Sequence, residues 1–142
     1  MHGDYSPKNV LVHDGRLILL DHEVIHIGDP GFDLGFSMTH LLRKLHLLPS
    51  KRDDFADATC RYWDVYHNIV KNDQWAENLE QRAIRHTLGC MLARVRGRSP
   101  LEYLNDTKRD RQYAAVITVM DDPPETVARL ADRFTTAISR ME

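Results

Sequence analysis

Cysteine is scarce in this chain. Cys60 and Cys90 are the two in 142 residues, far apart and each inside a helix-like stretch. That spacing argues against a disulfide framework and a metal knuckle, so reduced thiols in a cytoplasm are expected. No apolar run approaches the length of a membrane span. Neither sign of charge dominates: 19 Lys and Arg face 21 Asp and Glu, for a net charge of −2. No global field therefore draws the chain to nucleic acid or to an anionic membrane. Glycine is thin at the start, where only Gly3 and Gly15 precede Gly28. The opening Met1-His2-Gly3-Asp4 lacks the basic and apolar regions of a secretory signal. What is present, 42% hydrophobic and 28% charged residues, suits one compact domain with one core.

The richest stretch is the beginning. His2-Gly3-Asp4 is followed by Asn9, and after a β-like hairpin comes Asp21-His22-Glu23. An H-x-D-x-x-x-x-N loop followed by a metal-binding Asp is the layout of a phosphoryl-transfer site. That chemistry needs an acceptor hydroxyl aimed in line and cations that neutralise the transferring group. Asp4, on a tight loop after Gly3, suits the first task by accepting the hydroxyl's hydrogen bond. Asn9 and Asp21 suit the second, because Mg²⁺ prefers oxygen ligands. The hairpin would return Asp21 toward Asn9. Glu23, two residues beyond Asp21, would point the same way in extended backbone. It is either a ligand, direct or through water, or a solvated acid at a strand end.

Local patterning predicts the frame. Val10–Val12 and Leu17–Leu20 read as strands joined by Asp14-Gly15, a hairpin signal. Gly28-Asp29-Pro30-Gly31 breaks the chain. From Asp33 to about Leu48 a helix is expected, with Leu34, Met38, Leu41, Leu42 and Leu45 on one face and Pro49 ending it. Further helices are expected over Arg52–Lys71, Gln74–Arg96, Lys108–Met120 and Pro124–Met141, with Gly97 as a C-cap and a turn or short helix from Ser99-Pro100 through Leu104. The expected fold is mainly α with a short N-terminal β-hairpin, in a single domain over 1–142. Residues 1–35 would carry the loop and metal-binding hairpin, and 36–142 the helical body.

The motif H-G-D-x-x-x-x-N with D-x-E, followed by G-D-P-G-F-D-L-G, resembles the aminoglycoside phosphotransferase/choline kinase superfamily of protein-kinase-like small-molecule kinases. The close match runs from Met1 to about Leu42, and R-G-R-S-P-L-E-Y-L is a weaker likeness further on. The resemblance implies the C-terminal lobe of a protein-kinase-like fold. It implies Asp4 as the catalytic aspartate and Asn9 and Asp21 as magnesium ligands. Glu23 would be the D-x-E acid, Asp33 the brace of the loop, and His2 a structural loop histidine. The implied activity is transfer of a phosphate from ATP, with Mg²⁺, to the hydroxyl of an aminoglycoside, a choline-like amine, a sugar such as methylthioribose or another metabolite. The family's glycine-rich phosphate loop and strand lysine cannot be placed here. The chain therefore looks like the C-lobe alone: a fragment, a domain from a split frame, or the product of a late start codon. The second expectation is a catalytically silent remnant or helical binding module that exposes apolar surface and self-associates or takes a partner lobe there.

Plainer readings accompany each residue. Asp33 would also serve as a helix N-cap. Lys8 contacts the γ-phosphate or is solvated. Tyr5 and Ser6 shape the turn or touch the acceptor. His13, His22, His26, His40, His46, His67 and His86 show no zinc pattern and are assigned to surface or core. Arg82, Arg85, Arg94, Arg96 and Arg98 make a solvated basic face or a pocket for an anionic acceptor. Tyr62, Trp63 and Tyr66 pack in the core or stack on substrate. Asp53, Asp54, Asp57 and Asp64 form an acidic exposed face or attract a cationic acceptor.

Overall fold

The structure, a computed structural model, describes residues 1–97 and 104–142. Arg98, the Ser99-Pro100 turn and most of the R-G-R-S-P-L-E-Y-L segment lie outside the described residues. The expected mainly helical fold with an N-terminal hairpin is observed. Strand β1 (Val10–His13) pairs antiparallel with β2 (Arg16–Leu19), Val10 facing Leu19 and His13 facing Arg16. Asp14 and Gly15 both take positive φ, 47° and 70°. That is the turn whose twist matches a two-residue hairpin.

Helix α1 (Pro30–Leu47) is the central element, packing against α2 (Arg52–Val70) and α3 (Leu79–Arg96). It starts three residues earlier than the apolar period suggests. Asp29 is its N-cap, accepting from the Gly31 N–H at 2.9 Å, and Pro30 supplies the first helical position. Asp33 is therefore not the cap; it sits in the first turn. The expected Gln74–Arg96 helix is split. Gln74–Ala76 makes a single 3₁₀ turn, Asn78 is left-handed at φ 54°, and α3 begins at Leu79. Helix α4 (Asp106–Met120) is capped by Asn105, and α5 (Val127–Ser139) by Thr126. Those caps set both starts, two residues before and three after the sequence estimate.

Among the described residues, one main core unites helices α1 to α5, beside a small cluster at Val95 and Leu104. Met38, Leu42 and Leu45 of α1 meet Trp63 of α2, Ile84, Leu88 and Met91 of α3, Val116 of α4 and Phe134 of α5, all buried. Helices α1 and α3 approach closely at Gly35. A Cβ there would lie 2.6 Å from the His86 Cβ and 2.7 Å from the Thr87 backbone N, so a methyl group would force the helices apart. The hairpin lies outside this core. Leu11, Val12, Leu17, Ile18 and Leu20 are exposed, as are Val24, Ile25 and Ile27 beyond it. Among the described residues, no helix is long and apolar enough to cross a membrane.

Candidate active site

The loop preceding β1 is held by α1 and by the segment that follows β2. The Asp33 carboxylate accepts two backbone hydrogen bonds, from the His2 N–H at 2.5 Å and the Gly3 N–H at 2.8 Å. Both acceptor oxygens are thereby used, which fixes the loop's orientation over the helix. His2 is buried. Its Nδ1 accepts from the Asp4 N–H at 3.3 Å, so the ring proton sits on Nε2 and is donated to the Leu20 carbonyl at 2.9 Å. His2 thus ties the loop to the end of β2. Gly3 is left-handed, φ 87°, and a Cβ there would stand 2.9 Å from the Val24 carbonyl oxygen. Glycine is required on both counts. The Met1 and His26 backbones exchange two hydrogen bonds, which draws the Val24–His26 segment against the loop.

Asp4 emerges from this frame with its side chain 24% exposed. Asn9, buried, donates from Nδ2 to the Asp4 carbonyl at 2.8 Å and to its carboxylate at 2.9 Å. Lys8 pairs with the same carboxylate oxygen at 3.0 Å while keeping its own side chain 67% exposed. With its nitrogen so committed, Asn9 keeps its carbonyl oxygen as the end that a hard cation would take. The Leu20 N–H donates to the Asn9 backbone carbonyl at 2.8 Å, leaving the side-chain Oδ1 out of that bond and setting Asn9 beside the residue before Asp21.

Asp21 is left-handed, φ 63°, a conformation that Asp tolerates better than most residues. Glu23 lies in the turn that follows, where the Ile25 N–H donates to the His22 carbonyl. The extended backbone expected between Asp21 and Glu23 is therefore absent. Even so, both acids line one cavity of about 570 Å³ together with Asp4 and Lys8. Neither acid has a hydrogen bond or ion pair among the described residues. No three His, Cys, Asp or Glu side chains among those residues group closely enough to hold a metal. The oxygen donors do suit Mg²⁺, which takes one or two carboxylates and completes its shell with water and phosphate.

Among the neighbours, Asp29, Phe32 and Phe36 were not singled out from sequence, whereas Arg94 was named there as one of a basic set. Asp29 joins α1 to α3, meeting Arg82 Nε at 3.2 Å and His86 Nε2 at 3.2 Å. Burial pushes its carboxyl up, but the Gly31 N–H, His86 and Arg82 outweigh this and hold it below the usual range. Its position before Pro30 was the available signal. Phe32, Phe36 and Arg94 line the same cavity as Asp4. His40 lies near them; burial, then Arg43 and Arg94, lowers its pKa to about 4. Phe32, Phe36 and His40 recur at every fourth residue, a stripe overshadowed by the leucine face.

The remaining candidates divide. Trp63 is buried in the core, stacked on His67. Tyr62 and Tyr66 line a separate, largely apolar cavity of about 450 Å³ behind the loop, with Tyr5, Leu19 and Ile25. Burial raises the Tyr62 hydroxyl well above its ordinary pKa. Ser6 is buried, and the Tyr5 carbonyl accepts from Ser37 Oγ at 2.6 Å, so both residues shape the loop. Arg96 pairs with Asp110, while Arg85 is exposed.

Comparison with known proteins gives a partial likeness. The chain is 30% identical to Protein LicA of Haemophilus influenzae strain Rd over 66 residues, which are 46% of this chain and 23% of that protein. A second Protein LicA of Haemophilus influenzae is also 30% identical over 66 residues, 18% of its length. The match thus spans less than a quarter of the curated relatives. No family model matches the chain, and no solved structure matches it.

Proposed function

We propose that this chain carries the acceptor-orienting and metal-binding half of a phosphotransferase. Its reaction would move the γ-phosphate of ATP to the hydroxyl of a small molecule. The observation that carries this reading is the shared cavity of Asp4, Lys8, Asp21 and Glu23, together with the Asn9 contact that fixes Asp4. The motif's resemblance to small-molecule kinases supports the same reading. With ATP as co-substrate, the reaction would run in the cytoplasm.

Asp4 would accept the hydrogen bond of the acceptor hydroxyl and aim its oxygen in line. The transition state is loose, so orientation matters more than early proton removal. Proton transfer to the carboxylate would then accompany bond formation to the γ-phosphorus as its bond to the β-phosphate oxygen breaks and ADP leaves. Lys8, already beside Asp4 and reaching into solvent, would follow the charge of the transferring phosphoryl group. Asn9, Asp21 and Glu23 would hold Mg²⁺, which supplies charge neutralisation between phosphate oxygens. Asp33 and His2 act on the chemistry only by fixing the loop.

The exposed apolar residues of β1, β2 and the stretch through Ile27 belong to this reading. A further lobe or a second copy of the chain would cover them and close the nucleotide side. The direct test is calorimetry of ATP binding with and without Mg²⁺, using Asp21→Ala as the control. Binding that requires both Mg²⁺ and Asp21 supports the reading. A folded chain that binds ATP equally well without either overturns it.

A further inference from the structure

Behind the loop lies a second cavity, of about 450 Å³, that the phosphoryl-transfer reading leaves unused. Met1, His2 and Tyr5 of the loop line one side of it, with Leu19 and Ile25 from the hairpin and the stretch beyond. Pro30 and Leu34 of α1 and Tyr62 and Tyr66 of α2 line the other. Leu34 is buried and belongs to the core. Tyr62 keeps its hydroxyl enclosed beside Ser37, so what it offers the cavity is its ring. The volume lies in the range of small-molecule sites. A docked helix would instead need a row of pockets along a groove.

The polar groups of the wall are already engaged. Asp33, the lining acid, uses both carboxylate oxygens on the His2 and Gly3 N–H groups. The His2 ring is held between the Asp4 N–H and the Leu20 carbonyl. The Met1 amino group donates to the His26 carbonyl. These two charges are opposite in sign and both are hydrogen-bonded, so neither sets a preference. An ion entering the cavity would lose water without meeting a free counter-charge. Tyr66 adds no charge, because burial, then Asp33, raises its hydroxyl above the ordinary pKa.

We infer that this cavity binds a neutral, largely apolar small molecule, whose body fills the space among Tyr5, Leu19, Ile25, Leu34, Tyr62 and Tyr66 and so joins the loop to the helices. The loop otherwise depends on a few polar contacts. A ligand that touches both sides stabilises the closed arrangement by mass action. Occupancy therefore protects the His2 and Gly3 amides, next to Asp4, from local opening. The inference stands apart from the phosphotransferase reading, since no residue assigned to ATP, acceptor or Mg²⁺ lines this cavity.

Acetophenone, benzoate and benzylamine test the inference, because they share a ring and differ in charge. Each is titrated into the whole chain by NMR near neutral pH, without nucleotide or metal. Acetophenone is expected to shift the amides of Tyr5, Leu19, Ile25 and Tyr66 saturably, with a Kd of about 1 mM or tighter. Both ions should bind about ten-fold or more weakly. At about ten times its Kd, acetophenone should slow hydrogen exchange at His2 and Gly3 by about five-fold or more. Ile25→Trp, at a half-exposed position, should obstruct the cavity, and Tyr66→Ala should remove part of its wall. Each should weaken acetophenone by about five-fold or more, with amide spectra establishing that both variants fold. The absence of saturable binding overturns the inference, as does an ion that binds as tightly as acetophenone, or affinity that survives in either variant. Unaltered exchange at His2 and Gly3 overturns the link to the loop. Cavity signals that shift with protein concentration and exclude the probe would assign the space to a second copy of the chain instead.

Discussion

The helical body and the N-terminal loop with its hairpin are stabilised by different means. In the body, Met38, Leu42, Phe134 and Ile138 are removed from water and each helix buries a stripe against the others. In the hairpin, apolar residues of both strands stay exposed. Its position depends on a few polar contacts: Asp33 to His2 and Gly3, His2 to Leu20, and the Met1–His26 backbone pair. Burial is non-directional and tolerates small shifts, whereas these hydrogen bonds fix geometry. A stable scaffold thus carries a positioned but thinly supported site, which is where local opening is expected to be easiest.

This contrast breaks most strongly at the core. Phe134→Ala, at a fully buried position, should cost about 3–5 kcal/mol in urea unfolding. Asp33→Ala should act differently. It strands two N–H groups, worth about 1–3 kcal/mol. The loss should appear as faster hydrogen exchange at His2 and Gly3, with the body amides little changed. Equal acceleration throughout would erase the distinction between the two regions. Gly3→Ala, strained by φ and by Val24, should cost about 1–3 kcal/mol with the same local signature.

The sequence made parts of both regions legible, for different reasons. The hairpin could be read because Asp14-Gly15 has a conformational demand that few residues meet. The helices could be read from the spacing of Leu34, Met38, Leu42 and Leu45. Helix starts were less legible, because a cap such as Asp29 or Thr126 is one residue among many similar ones. The loop motif named Asp4, Asn9 and Asp21, but the left-handed turn at Asp21 has no signature in D-H-E. Phe32 and Phe36 were hidden by ambiguity, and Arg94 was named only as one of five arginines. An aromatic stripe beside a leucine face reads as core, and Arg94 differs from Arg85 and Arg96 only by where the helix turns it.

Changes in pH should have smaller effects on both regions. Burial, with Arg43 and Arg94 nearby, lowers the His40 pKa from its ordinary 6.5 to about 4 in the folded chain. Between those values the unfolded chain binds more protons, so stability should be full above about pH 6.5 and fall toward pH 4. His40→Gln should flatten that slope in acid-titrated thermal unfolding. Asp29, its carboxyl held against burial below the ordinary aspartate range by Gly31, His86 and Arg82, contributes stability that is lost only at lower pH, as its folded-state carboxyl protonates. The smallest effect should come from Leu17→Lys on the exposed face of the hairpin. Unfolding free energy should change by less than about 0.5 kcal/mol, while any self-association seen in sedimentation should weaken. A large loss of stability would mean that Leu17 packs within the folded chain after all.

On the phosphotransferase proposal, the loop and hairpin together would form an oxygen-lined cation site at Asn9 and Asp21. Paramagnetic broadening by Mn²⁺, added with ATP as a stand-in for Mg²⁺, tests it most directly. Selective loss of the amide signals around Gly3, Asn9 and Asp21 is expected, reversed by excess Mg²⁺ and abolished in Asp21→Ala. Broadening centred elsewhere, or unchanged in Asp21→Ala, would contradict it.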